Sequence, residues 1–223
     1  MGRQVCECGK YISNALQDSI GAGPAAGEST FLHLRDCRGM LNRRKNVVLI
    51  GMPGAGKSTI GVLLAKSLSK DFIDTDLVIQ QRYGMLLQEI VDTLGYLQLR
   101  RYEEDTILSL PATNSDITTG TVRATGAVIA TGGSAVYSER AMRHLQKNGL
   151  VVFLQVAEST LLQRIDNFES RGLAKAGSQS FDELFSERKL LYEKYGELVI
   201  GCDGKRQEEI LREIIGALGA EAA

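Results

Sequence analysis

The residues Gly51-Met52-Pro53-Gly54-Ala55-Gly56-Lys57-Ser58-Thr59, entered from the apolar run Val47-Val48-Leu49-Ile50, constrain this chain more than any other stretch. Glycines at 51, 54 and 56 let the backbone curl with its N–H groups pointing inward, and the residues that follow show a helical pattern, so the segment reads as strand, loop and helix. Its spacing fits G-x-x-x-x-G-K-[ST], in which a hollow of N–H groups beside a helix N-terminus suits a polyphosphate. Gly54, Ala55, Gly56, Lys57, Ser58 and Thr59 are then the nucleotide-binding residues, with Lys57 reaching the outer phosphates and Ser58 ligating Mg²⁺. A glycine-rich turn without a ligand is the alternative, and the flanking strand and helix argue against it.

The rest of the chain limits what can surround such a loop. With 223 residues, 43% of them hydrophobic, it can bury one sizeable core, and a single domain over 43–223 is expected. A net charge of -1 leaves no electrostatic footprint for nucleic acid. No apolar run approaches the roughly 18 to 20 residues that span a bilayer, so a soluble protein without a membrane partner is expected. Cys6, Cys8, Cys37 and Cys202 are too irregularly spaced for a disulfide framework, and a reducing cytoplasm suits them. A zinc site from Cys6, Cys8, His33 and Cys37 lacks the usual two to four residues between paired ligands, and incidental cysteines are the preferred reading.

Residues 1–42 show no sustained period and contain the run Gly21-Ala22-Gly23-Pro24-Ala25-Ala26-Gly27, so a poorly ordered extension is expected there. Its scattered acids and the lack of an apolar h-region disfavour a targeting peptide, and Met40 is a candidate alternative start. From Asn46 onward, apolar runs alternate with amphipathic stretches, the pattern of a parallel sheet between helices. The expected strands are Val47–Ile50, one at Phe72-Ile73, Ala127–Thr131, Leu150–Val156 and Leu198–Ile200. Expected helices cover Ser58–Leu68, Leu86–Leu94, Tyr96–Leu108, Ser138–Lys147, Leu161–Ile165, Phe181–Tyr195 and Arg206–Leu218. Asn148-Gly149 reads as a left-handed helix stop. The polar, glycine-punctuated stretch at about 166–178 is long for a connection and is expected to be a mobile cover over the site.

Asp74-Thr75-Asp76 closes the second strand at the edge of the sheet where ligands of open α/β folds bind, although Asp76 would also serve as a helix N-cap. Arg100 and Arg101 would ordinarily be solvated helix charges paired with Glu104 and Asp105. Gly132-Gly133-Ser134 would allow a ligand close to the backbone, or would simply turn a strand into a helix.

Taken together and in order, Gly51–Thr59, Phe72-Ile73-Asp74-Thr75-Asp76, Leu99-Arg100-Arg101-Tyr102-Glu103-Glu104-Asp105, Ala130-Thr131-Gly132-Gly133-Ser134-Ala135-Val136 and Ser186-Glu187-Arg188-Lys189-Leu190-Leu191-Tyr192 resemble the shikimate kinase family. The similarity runs from about Asn46 to Leu218. It implies a five-stranded parallel sheet with helices on both faces, of the P-loop nucleoside-monophosphate-kinase kind, with a mobile lid. It further implies ATP and Mg²⁺ as cofactors and transfer of a phosphoryl group to the 3-hydroxyl of shikimate, a small hydroxy carboxylic acid, in aromatic amino-acid biosynthesis.

The resemblance also assigns roles. Asp74 would help Ser58 hold the metal, and Asp76 would orient or deprotonate the attacking hydroxyl. Arg100 and Arg188 would bind the acceptor carboxylate, with Gly132 and Gly133 lining its pocket. Lys57, Asp76 and Arg171 form the catalytic set, Arg171 from the lid also reaching ATP, and Arg206 would border the adenine. Two departures stand out: Gly172 where a proline usually follows the lid arginine, and Ser134 in place of a third glycine. The competing expectations are a kinase for another small hydroxy acid such as gluconate, and a nucleotide-binding regulator without catalysis. A monomer in the cytoplasm is expected.

Overall fold

The computed structural model describes residues 46–110, 126–164, 174–175 and 179–219. The extension at 1–42, Met40, most of the expected lid and Arg171 within it lie outside the described residues, as do Cys6, Cys8, His33 and Cys37. Five strands, β1 (Asn46–Ile50), β2 (Asp71–Asp74), β3 (Ala127–Ala130), β4 (Gly149–Gln155) and β5 (Leu198–Gly201), make one sheet in the order β2-β3-β1-β4-β5. Every pairing is parallel: Val47 lies opposite both Val128 and Leu150, Phe72 opposite Val128, and Phe153 opposite Val199. β1 and β3 are buried at every position, which explains their unbroken apolar composition and requires both faces of the sheet to be covered.

The helices that cover it are α1 (Lys57–Leu68), α2 (Thr75–Tyr83), α3 (Leu87–Leu94), α4 (Tyr96–Ser109), α5 (Glu139–Asn148), α6 (Glu158–Arg164), α7 (Phe181–Tyr195) and α8 (Gln207–Leu218). α1 packs against α8, and α5 against α4. The main core joins the central strands to Ile60, Leu64, Leu145, Ile210 and Ile214. A smaller core of Ile79, Ile90, Leu99 and Ala174 lies under α2, α3 and α4. Among the described residues no helix is long and apolar enough to cross a membrane.

Strand order decides where chemistry can gather. β3 lies between β1 and β2, so the loops leaving the carboxyl ends of all three strands are neighbours. The loop after β1 is the glycine motif, the turn after β2 carries Thr75 and Asp76, and the bend after β3 is Thr131–Ser134. In open α/β sheets this crevice is where ligands sit.

Three expectations need correction. The helix before β4 does not end in a left-handed glycine: α5 runs through Asn148, and Gly149, with φ -161° and ψ 179°, is already extended and begins β4. Glycine is required there for space, since a Cβ would lie 2.7 Å from the carbonyl oxygen of Asn46 on the adjoining strand. The cap after β2 is Asp74 rather than Asp76, because Asp74 accepts from the Asp76 backbone N–H at 3.0 Å. The helix it starts, α2, has no counterpart among the expected helices. Its pattern is weak because Ile79 is buried while Leu77 is 55% exposed, so the apolar residues do not share one stripe.

Candidate active site

The glycine motif has the backbone its residues require. Gly51, Gly54 and Gly56 have φ of 147°, 85° and 91°, values that side-chain-bearing residues avoid. Gly51 is also pressed against β4, where a Cβ would lie 2.7 Å from the Leu154 carbonyl oxygen. Gly56 caps α1, so the loop runs directly into a helix N-terminus. Ala55 N–H donates to the Met52 carbonyl at 3.0 Å and closes the turn. Lys57 folds over it, its Nζ donating to the carbonyls of Gly51 at 2.8 Å and Met52 at 3.0 Å. Burial, reinforced by the Arg188 guanidinium and opposed chiefly by the Asp76 carboxylate, lowers the Lys57 ammonium to about 8. Such an ammonium gains strongly from an incoming polyanion.

Beside the loop, Ser58 Oγ donates to Asp74 Oδ2 at 2.6 Å. Asp76, half-buried in the first turn of α2, is raised to about 6 by burial and then by the neighbouring Asp74 charge, with Lys57 opposing. It therefore stays mostly ionised at neutral pH while being more basic than an exposed aspartate.

The bend after β3 forms the floor. Gly132 N–H donates to Thr75 Oγ1 at 2.9 Å, and a Cβ on Gly132 would collide with the carboxyl groups of Glu103 and Asp76. At Gly133 a Cβ would lie 2.9 Å from Pro53 of the loop and 3.0 Å from Arg188 Nη1. The Gly133 carbonyl accepts from the Tyr192 hydroxyl at 2.7 Å, and burial drives the Tyr192 pKa upward. The glycines are needed here for closeness rather than for unusual dihedrals. Ser134 Oγ donates to Glu103 Oε2, the carboxyl that lies against Gly132. Glu103, only 2% exposed, is pushed up to about 8 by burial and the nearby Asp76 charge, so it is mostly protonated at pH 7.

The arginines form the wall. Arg188, from the middle of α7, is 1% exposed, yet among the described residues no carboxylate lies within ion-pair distance of it. A buried guanidinium without a counter-ion is costly, and a bound anion would relieve that cost. Arg100 comes from α4, and its Nη2 donates at 3.2 Å to the Ala174 carbonyl, which also accepts from Arg188 Nη2 at 2.9 Å. Arg100 Nε is buried without a hydrogen-bond partner among the described residues. Arg100 is thus no solvated helix charge, and Glu104 turns instead to Arg140 and Ser138, at 2.7 and 2.8 Å.

The structure brings Lys57, Ser58, Asp74, Asp76, Gly132, Gly133, Arg100 and Arg188 to one edge of the sheet. Arg206 is the exposed N-cap of α8, its backbone N–H donating to Glu209 at 2.7 Å. Sequence reasoning did not single out Glu103, Tyr137 or Ala174. Glu103 had a usable signal, lying three residues beyond Arg100 on the same helical face; the other two had none.

A model of the family described as shikimate kinase matches residues 53–219. Shikimate kinase of Sulfurihydrogenibium sp. (strain YO3AOP1) is 33% identical over 171 residues, 77% of this chain and 96% of that protein. The enzyme of Thermodesulfovibrio yellowstonii is 34% identical over 173 residues, 77% of this chain and 93% of its own length. Among solved structures, shikimate kinase from Acinetobacter baumannii in complex with shikimate superposes with a TM-score of 0.69 at 24% identity, covering 81% of this chain and 96% of that one. The Aquifex aeolicus enzyme gives 0.60 at 27% identity, covering 78% and 95%. With the site geometry and a family match spanning most of its length, the chain belongs to the shikimate kinase family.

Proposed function

We propose that this edge of the sheet transfers the γ-phosphoryl group of ATP to the 3-hydroxyl of shikimate, giving shikimate 3-phosphate and ADP. The observation that carries the acceptor assignment is the buried Arg188, free of any carboxylate among the described residues and set beside Arg100, whose Nε lacks a partner. Two guanidiniums that converge on one carbonyl, that of Ala174, suit a carboxylate, each charge-assisted bond contributing about 1.5 to 3 kcal/mol. A neutral sugar would leave both unsatisfied. Ser134 does not argue for a different acid, because its hydroxyl hydrogen is engaged by Glu103.

In this reading the N–H groups from Gly54 to Thr59 and the Lys57 ammonium hold the phosphates. The hydroxyl of Ser58 and the carboxylate of Asp74, already 2.6 Å apart beside the loop, are hard oxygen donors that suit Mg²⁺, an ion that keeps several waters and phosphate oxygens as its remaining ligands. Bound there, the ion supplies charge neutralisation for the phosphates. Asp76 orients the acceptor hydroxyl and takes its proton as the new O–P bond forms and the bond to the ADP oxygen breaks. Gly132 and Gly133 let the acceptor ring approach the backbone.

Arg171, outside the described residues, is assigned to the transferring phosphoryl group by family resemblance, and Arg206 to the adenine. A monomer in the cytoplasm completes the proposal. Incubating the purified chain with ATP, Mg²⁺ and either shikimate or gluconate tests it. ADP release coupled to shikimate 3-phosphate is the expected result, and turnover of gluconate alone would reassign the acceptor.

A further inference from the structure

We propose that Tyr137 is a positioning residue for the acceptor seat, its ring holding the Arg100 and Arg188 guanidiniums in place for a shared carboxylate; this rests on the carboxylate assignment above. The bend after β3 leads into a 3₁₀ turn, Ala135–Tyr137, closed by the Tyr137 N–H donating to the Ser134 carbonyl at 3.1 Å. That turn delivers the ring to the space between α4 and α7. The Arg100 guanidinium carbon lies 3.5 Å from the ring centroid, which is stacking distance, and the Arg188 carbon lies 5.4 Å from it. Arg188 Nε reaches the Tyr137 hydroxyl at 3.5 Å. Tyr96 adds a second ring 5.1 Å from the Arg100 guanidinium carbon.

Two like charges repel when brought to one carbonyl, and neither has a carboxylate within ion-pair distance among the described residues. The partners that hold them are the Ala174 carbonyl, which takes one Nη2 from each, the Tyr137 ring and, for Arg100, the more distant Tyr96 ring. The Tyr137 face attracts the Arg100 guanidinium charge without taking up an N–H donor, and Arg100 Nε is buried without a hydrogen-bond partner among the described residues. A carboxylate partner in the same place would neutralise the seat it was meant to prepare. The ring therefore positions the charges and leaves them available.

The test compares Tyr137→Phe with Tyr137→Leu and Tyr137→Met, the last an unbranched filler should the leucine variant fail to fold. Steady-state kinetics are measured for shikimate and for ATP, alongside competition by shikimate methyl ester and thermal melts. Phenylalanine keeps the ring and loses only a long, weak hydroxyl contact, so its constants should stay within about twofold of the parent. The aliphatic variants should raise the shikimate KM roughly tenfold, with the ATP KM and kcat changed less than about twofold, and should narrow the preference for acid over ester. An unchanged shikimate KM in a folded aliphatic variant, or a phenylalanine variant as impaired as leucine, would overturn the proposal. If the parent turns over no shikimate at all, it is the acceptor assignment that fails.

Discussion

Ser58 and Asp74 meet at 2.6 Å, joining the first turn of α1 to the last residue of β2. The other oxygen of Asp74 accepts from the Asp76 N–H at 3.0 Å and caps α2. One carboxylate therefore has two duties that a substitution can separate. Asparagine caps helices about as well as aspartate, but it lacks the charge that draws a divalent cation. Asp74→Asn is expected to melt within a few degrees of the parent while needing about tenfold or more Mg²⁺ for half-maximal transfer. A metal titration and a thermal melt on the same preparation check both, and an unchanged Mg²⁺ requirement would remove Asp74 from the metal site.

Arg188→Met should divide stability from function. Arg188 is buried to 1% exposure without an ion pair among the described residues, so an apolar side chain of similar length relieves a desolvation cost. The melting temperature is expected to hold or rise. The acceptor loses a charge-assisted contact, which predicts a shikimate KM raised by roughly 10- to 100-fold with the ATP KM little changed. A variant both less stable and normal in KM would make Arg188 a structural residue.

Much of this site was legible in the chain because its residues sit at fixed distances from backbone features. Gly51, Gly54, Gly56 and Lys57 are recognisable because their loop needs left-handed dihedrals at set positions and a helix directly after. Asp74 and Asp76 follow from where β2 ends. What could not be read are relationships that exist only across the fold. Ala174 reaches Arg100, 74 positions away in sequence, through a backbone carbonyl that any residue possesses. Tyr137 looks like one more half-buried aromatic until the sheet order brings α4 and α7 to either side of it. Gly149 misled for a related reason: its signature is shared by helix stops and by close strand contacts, and only the neighbouring strand, whose Asn46 carbonyl oxygen would lie 2.7 Å from a Cβ at this position, separates them.

Lys57→Ala removes the ammonium that spans the phosphate loop. In its absence the carbonyls of Gly51 and Met52 lose their 2.8 and 3.0 Å donor, and the phosphates lose a charge in a site with little water to replace it. Transfer is expected to fall by about 10² to 10³ in kcat, the range seen when one preorganised donor to a developing charge is removed. Single-turnover measurements at saturating ATP separate this from weakened binding. Transfer within threefold of the parent would mean that Lys57 serves the loop alone.

Glu103→Gln should change how stability depends on pH. Burial and the Asp76 charge raise Glu103 from 4.5 to about 8, so the folded state holds its proton more tightly than the unfolded chain does. The associated stability is fully present below about pH 4.5, declines as pH rises, and is gone above about 8. Glutamine is neutral throughout and can still meet the Ser134 hydroxyl, so it lacks this slope. Urea unfolding of both proteins between pH 5 and 9 should show the parent losing about 3 to 5 kcal/mol relative to the variant across that window. Parallel curves would mean that Glu103 is ionised in the folded protein. The Ser134 hydroxyl would then be hydrogen-bonded to a buried anion, and the floor beside Asp76 would carry two negative charges rather than one.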